Sequence, residues 1–309
     1  MNSEANILYI ILSLILINFA AMLEIGMKSF EAGEMSPMEV QGLMQGAIGP
    51  RPICFASTVD KNGNANLSPF SFFNMFSSNP PILIFSPARR VRDNTIKHTL
   101  ENVLEVPEVC INIVTYDMVW QTSLASTEYE KSVDEFSKAG FGKVASKYIK
   151  PARVAESPVQ FECKVIEVKP LGEGGGAGNL VICEVLMIHV ATQILSADGK
   201  KIDQPKLNLV ARLGDGWYSK TEGALFEIEK PLQTKGIGVD MIPEGIRLSK
   251  FLTGNNLGQL GNVEHLPTAE EIDSVSPGIA NKSEYEKHKM AHDLLEKKQV
   301  MEAWKILLS

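Results

Sequence analysis

The 309-residue chain has no surplus of positive charge, no C-x-x-C pair and no alternating strand–helix rhythm, and each shortage removes a class of function. Thirty Lys and Arg stand against 37 Asp and Glu, a net charge of -7, so the cationic excess that neutralises nucleic-acid phosphates is missing. Nucleic acid is not an expected partner. The four cysteines, Cys54, Cys110, Cys163 and Cys183, lie inside apolar runs such as "PICFAS" and "LVICEVL", where a thiol acts as a small buried hydrophobe. That usage suits a reducing cytoplasm. Hydrophobic residues make up 44% of the chain, enough for a full core in one large domain with extensions or in two modest domains. No internal repeat or low-complexity tract interrupts it.

A basic start is also absent. "ILYIILSLILINFAAML", residues 7–23, is slightly shorter than the ~20 residues that span a bilayer comfortably, and no Lys or Arg precedes it. Without that positive lead, and with Ala20 and Ala21 making a poor cleavage site, it is not a secretory signal. Two readings stay open. The run is a membrane tether, with Lys28 keeping the body in the cytoplasm, or it is a gene-model extension and translation starts at Met27. Residues 1–26 are therefore set apart from a main domain at 27–245 and a loop and helical extension at 246–309.

From Arg51 onward the pattern is short strands and turns. "RPICFASTVD" and "ANLSPFSFFN" flank Asn62-Gly63, the pair that suits a two-residue hairpin turn. "PILIFSP" and "EVCINIVTY" are further strands. Between them "VRDNTIKHTLENVLEV" predicts a helix with Ile96, Leu100, Val103 and Leu104 on one face and Asp93 as its cap. "SPVQFECKVIEVKPL" and "NLVICEVLMIHVATQIL" are long strands joined by "GEGGGAGN". A dinucleotide fingerprint would have to open a helix, and here a strand follows, so the glycines are a hairpin loop. Few helices and no βαβ units indicate a mainly β fold with α additions, an antiparallel barrel. After Gly236 come glycine- and proline-punctuated loop with one helical turn, then a terminal helix with Met290, Leu294, Met301, Trp304 and Leu308 on one face. His288 and His292 have zincin spacing, but Lys289 stands where that motif needs glutamate, so no metal site is expected.

Two neighbouring stretches carry chemistry. In "SPFSFFNMF" strand alternation puts Phe70, Phe72, Asn74 and Phe76 on one side and Ser71, Phe73 and Met75 on the other. Flat apolar walls beside short polar groups suit an isoalloxazine ring, with Ser71 and Asn74 at its edge and Ser57 and Thr58 reaching it from the neighbouring strand. The same pattern fits a core strand with satisfied polar residues, and the residues alone leave both readings open. "SPARRVRDNTIKHT" then sets Arg89 and Arg90 before a helix whose first turns hold Asn94, Thr95, Lys97 and His98. Guanidinium groups and a helix amino terminus together make an anion site.

"GPRPICFASTVDKNGNANLSPFSFFNMFSSNPPILIFSPARRVRDNTIKHTLENV", with "INIVTYDMVWQTSLASTEY", "DEFSKAGF" and "ESPVQFECKV", resembles the flavin reductase-like family of FMN-binding split-barrel proteins, some of them flavoredoxins. The resemblance covers about Met27 to Asp240. It implies a Greek-key split barrel, with Ser71, Phe72 and Asn74 against the flavin ring. Asn94, Thr95, Lys97 and His98, with Arg89 or Arg90, would hold the ribityl phosphate. The "TSLAS" loop, Ser123, Ala125 and Ser126 among it, would approach from another side. It also implies a homodimer with FMN near the subunit interface.

The function expected on this basis is a flavin reductase that passes hydride from NAD(P)H to bound FMN, with free flavin or a redox protein as onward acceptor. No side chain need act as general acid or base. An electron carrier of the flavoredoxin type and an FMN-binding sensor without turnover are the two alternatives.

Overall fold

The computed structural model describes residues 26–131, 133–228 and 234–309. The apolar run at 7–23, expected to be a tether or an extension, lies outside the described residues. No helix among the described residues is long and apolar enough to cross a membrane. The chain divides into two compact units that meet between Leu225 and Phe226.

The first unit is built on seven antiparallel strands. In chain order they are β1 (Cys54–Val59), β2 (Ala65–Phe70), β3 (Phe73–Ser78), β4 (Pro81–Phe85), β5 (Glu108–Ile113), β6 (Val159–Pro170) and β7 (Asn179–Val190). They pair in the order β2-β1-β5-β6-β7-β4-β3. The two edge strands are consecutive in sequence. Three residue steps separate Phe70 from Phe73, so those strand ends lie within roughly 11 Å of each other. The sheet must curl until its edges nearly meet, which is the expected split barrel.

The expected β1–β2 hairpin forms, but its turn is longer than two residues. Val59 pairs with Ala65, and the five residues between them close on Asp60, whose Oδ1 accepts the Asn62 and Asn64 N–H groups at 2.9 Å each. Gly63 takes the left-handed φ of 85° that such a loop needs. Nor is "SPFSFFNMF" one alternating strand. It bends at Ser71-Phe72, where the chain crosses from one sheet edge to the other, and the Ser86 N–H donates to the Phe72 carbonyl at 2.8 Å.

Residues with alternate burial fill the barrel. Cys54, Ala56, Phe70, Leu83, Phe85, Val109, Ile111, Cys163, Val165, Val181 and Cys183 form one core, capped by Leu100 and Val103 from α2 (His98–Glu105). That helix starts later than the expected cap at Asp93. Asp93 instead closes a turn, accepting from the Thr95 N–H at 3.0 Å, and Leu104 faces solvent. All four thiols are buried, and burial pushes each of them up, Cys110 to about 12. A second core, with Phe55, Leu67, Val114, Met118 and Phe136, fills the other side of β1 and β2.

The second unit packs Leu260, Ala291, Leu295, Ala303 and Trp304 together, with the Trp304 indole N–H donating to the Leu260 carbonyl at 3.1 Å. Ile237 and Ile242 join this core. The region expected to be mostly loop holds short helices at Gly254–Gly261, Ala269–Asp273 and Pro277–Ala280. The terminal helix is two helices, Glu284–Glu296 and Val300–Leu308, broken at Lys298, which takes a φ of 59°.

One buried carboxylate fixes the outer wall of the barrel. Glu162 of β6 accepts the Lys147 and Tyr148 N–H groups at 2.8 and 2.6 Å and meets His189 Nε2 of β7 at 2.7 Å. Burial raises its pKa, but the two backbone donors and His189 outweigh this and hold Glu162 below the ordinary carboxylate range. Because the folded value is depressed, the stabilisation is present above the unfolded pKa and is lost as pH falls through the folded one. Glu162→Gln is expected to cost about 2 kcal/mol near neutral pH, through loss of charge-assisted hydrogen bonds. In denaturant titrations the gap between wild type and variant should shrink on acidification; a pH-independent gap would contradict this assignment.

Candidate functional site

A cavity of about 810 Å³ in the first unit is bounded by α1 (Pro37–Ala47), the bend at Phe72, the strap 86–97 and the glycine loop after β6. Helix α1 starts where its sequence dictates. Ser36 Oγ accepts the Glu39 N–H, the Glu39 carboxylate accepts the Ser36 N–H, and Pro37 occupies the first turn, where it costs no hydrogen bond. Val40 and Met44 of this helix, Ile48 after it, and Leu171 and Leu180 opposite supply apolar walls.

The carboxyl end of α1 is held by Arg51. Its Nη1 donates to the carbonyls of Gln45, at 2.7 Å, and of Ile48, and its Nη2 donates to that of Leu213 at 2.8 Å. Arg51 also lies 6.0 Å from the centre of the Phe72 ring, and both residues line the cavity. Burial pulls the Arg51 pKa down from its ordinary value, and the charge of Arg212 adds to this.

At another wall the strap gathers cations. The glycine loop, read from sequence as a hairpin connection, does join β6 to β7, and it also braces this strap. The Arg89 N–H donates to the Ala177 carbonyl at 2.8 Å and the Gly176 N–H to the Arg89 carbonyl at 3.0 Å. A Cβ on Gly175 would sit 2.9 Å from the Val91 carbonyl oxygen, so only glycine allows this approach. Asn94, at a φ of 57°, accepts from Arg89 through its side chain at 2.6 Å and its carbonyl at 2.7 Å. Arg90 donates to Thr95 Oγ1 and to the Ile96 carbonyl, both at 2.8 Å. Burial lowers the Lys97 pKa, the charge of Arg90 lowers it further, and Glu128 opposes both.

Arg90 and Lys97 also line a second, small polar pocket of about 30 Å³ with His98, Ser126, Glu128 and Asn66. Glu128 bridges the arginines there, 2.9 Å from Arg90 Nε and in contact with Arg92 Nη2. Behind it, Asn66 donates to the buried Glu135 at 2.9 Å and accepts from Thr99 at 2.8 Å.

The sequence candidates thus separate. Phe72, Arg89, Arg90 and Lys97 line the large cavity; Arg90, Lys97, His98 and Ser126 line the small one. Asn94 and Thr95 shape the strap rather than the first turn of a helix. Ser57 and Thr58 are fully buried and border neither cavity: Thr58 accepts from Asn102 at 3.1 Å, and Ser57 Oγ has no hydrogen-bond partner. Ser71 is half-buried at the bend. Asn74 is exposed on edge strand β3 and accepts the Met75 N–H at 2.8 Å. "TSLAS" is helical, not a loop: Ser123 and Ala125 lie in α3 (Val119–Ala125), Ala125 buried, and Ser126 Oγ caps the Ser123 carbonyl at 2.6 Å. Sequence reasoning did not single out Arg51, α1 or Glu128, and it gave the glycine loop only a hairpin role. The visible signal was the Ser36–Glu39 capping box before "PMEVQGLMQGA", an amphipathic segment ending next to Arg51.

A family model described as the flavin reductase like domain matches residues 47–203. A protein of Aquifex aeolicus without assigned function is 35% identical over 181 residues, covering 59% of this chain and 89% of its own. Among solved structures, nitrilotriacetate monooxygenase component B from Bacillus cereus is 28% identical with a TM-score of 0.62, covering 66% of this chain and all of its own. Flavoredoxin of Desulfovibrio vulgaris shares the fold at 18% identity and a TM-score of 0.51, over 67% of this chain and 98% of its own.

The carboxylate of Glu128 occupies the arginine pair that an incoming anion would use. Glu128→Gln should tighten binding of a phosphate monoester by roughly two- to fivefold, the range of an exposed ion pair. Calorimetric titration showing equal or weaker binding in the variant would mean that the anion does not use this pair.

Proposed function

The chain belongs to the flavin reductase-like family, and from that premise we propose that it is an FMN-dependent oxidoreductase that takes hydride from NAD(P)H. The observation that carries this reading is one cavity with apolar walls and a cationic end. At about 810 Å³ it falls within the range that encloses a cofactor-sized ligand. Phe72, Met44, Ile48 and Leu180 offer flat apolar contact to an isoalloxazine, while Arg89, Arg90 and Lys97 offer charge-assisted donors to a phosphate. The donor set therefore fits FMN.

When bound, the flavin supplies the chemistry by accepting hydride at N5. The protein's part is to bind, orient and exclude water. Arg90 stands where the two pockets adjoin, and its bonds to Thr95 and Ile96 fix its guanidinium before any ligand arrives. Lys97 is partly withdrawn from solvent, so a phosphate beside it would offset the cost of burying its charge.

A homodimer belongs to the same proposal. Met75 and Phe76 are exposed on edge strand β3, and Met38, Leu43, Met44 and Ile48 are exposed on or just after α1, which fully buries none of its own side chains. Apolar side chains on an open sheet edge call for a covering partner. Sedimentation should show a dimer; a monomer at micromolar concentration would remove this part.

The test of the activity is spectroscopic. Protein mixed with FMN should give the perturbed visible spectrum of a bound flavin, and anaerobic NADH or NADPH should bleach it. Bound flavin that stays oxidised with both would leave a carrier or a sensor, and no binding would sink the reading. Lys97→Ala with Arg90→Ala should weaken FMN binding by roughly 1.5–3 kcal/mol for each lost charge-assisted bond and leave riboflavin affinity nearly unchanged. Equal losses for both ligands would place the phosphate elsewhere.

A further inference from the structure

Arg51 is 7% exposed, yet no carboxylate pairs with it among the described residues. Three backbone carbonyls take up its Nη atoms, and its Nε is buried without a hydrogen-bond partner. Carbonyl dipoles solvate a guanidinium but do not neutralise it, and a buried charge without a counter-ion is among the costliest features a fold can carry. The neighbouring strand makes matters worse. In the small sheet formed by 51–52, 210–212 and 218–220, Arg51 stands directly opposite Arg212, and like charges in that register repel. Arg51 borders the cavity, where Phe72 lies against it. Such an arrangement is stable alone at a cost and becomes favourable once an anion or a carbonyl edge enters the cavity.

We propose that Arg51 is a flavin-contacting residue, with its charge, backed by Arg212, directed at the N1–C2=O edge of the ring, so that the site binds reduced flavin more tightly than oxidised flavin. This inference rests on the flavin reading and adds to it the group that stabilises the product of hydride transfer. The hydride pair from the dihydronicotinamide forms the N5–H bond, the nicotinamide leaves oxidised, and the displaced electron pair settles as negative charge over N1 and the C2 oxygen. That charge appears only on reduction. A fixed cation at that edge therefore favours the reduced state selectively, which is the condition for helping the chemical step rather than mere binding. The cavity then has two cationic walls with separate duties: Arg89, Arg90 and Lys97 for the phosphate, which is present in both redox states, and Arg51 for the charge that reduction creates.

The test measures the affinity for oxidised FMN and the midpoint potential of the bound flavin in wild type, Arg51→Lys and Arg212→Gln. Arg51→Lys keeps a cation but cannot hold three carbonyls and the ring edge together. It is expected to lose about tenfold of the preference for reduced flavin, a shift of about 30 mV to more negative potential for a two-electron couple. Arg212→Gln leaves every Arg51 hydrogen bond in place and should shift the potential the same way by a smaller amount, so it decides the matter by itself if Arg51→Lys does not fold. Flavin that binds with an unchanged potential in the folded variants overturns the role of Arg51 while the flavin reading stands. Failure of the wild type to bind FMN overturns both.

Discussion

The architecture depends on one short connection. Because Phe70 ends one sheet edge and Phe73 begins the other, the seven strands cannot lie open, and the chain at Ser71-Phe72 becomes the seam of the barrel. Phe70 turns inward to the core, while Phe72, at the bend, faces the cavity beside Arg51. The seam also sets the position of the strap, since the Ser86 N–H closes on the Phe72 carbonyl directly after β4 ends. Core, cavity wall and cationic strap are consequences of one covalent constraint acting on the two edges of the sheet.

The cations are placed by backbone bonds more than by ion pairs. Arg89 is threaded between two hydrogen bonds to the glycine loop, and Arg51 is clasped by carbonyls from α1 and Leu213. With the Arg89 guanidinium donating to Asn94, both side chains are oriented before a ligand binds, which lowers the entropy that binding must remove. Among the described residues of the strap, only Arg90 and Arg92 share a carboxylate, and Glu128 is exposed enough for that pairing to be weak.

Much of the fold was legible because strand length, turn residues and buried apolar runs are local signals. The β1–β2 hairpin, the long β6–β7 pair and the Leu100–Val103 face of α2 followed from them. What strand alternation could not show was the break at Ser71-Phe72, since a bend imposed by barrel closure leaves no proline or glycine in "FSFFN". Asp93 offered a helix cap, but it serves a turn four residues ahead of the helix, where capping and turn chemistry use the same hydrogen bond. The cationic strap was readable from its arginines, whereas Ser57 and Thr58 pointed into the protein because the first strand is covered on both faces. Arg51 was hidden by its surroundings: "GPRPI" shows an arginine at a strand start, and only the tertiary partners reveal that it lacks a counter-ion.

The buried thiols have a consequence for durability. Cysteine oxidises through its thiolate, so the protonation state of a thiol sets how readily peroxide attacks it. Here Cys54, Cys163 and Cys183 lie in the barrel core and Cys110 is buried on the opposite face of β5, and burial keeps each in the protonated, slow-reacting form. Packing that serves the core thereby acts as chemical armour, so oxidative wear falls first on exposed methionines such as Met38 and Met75.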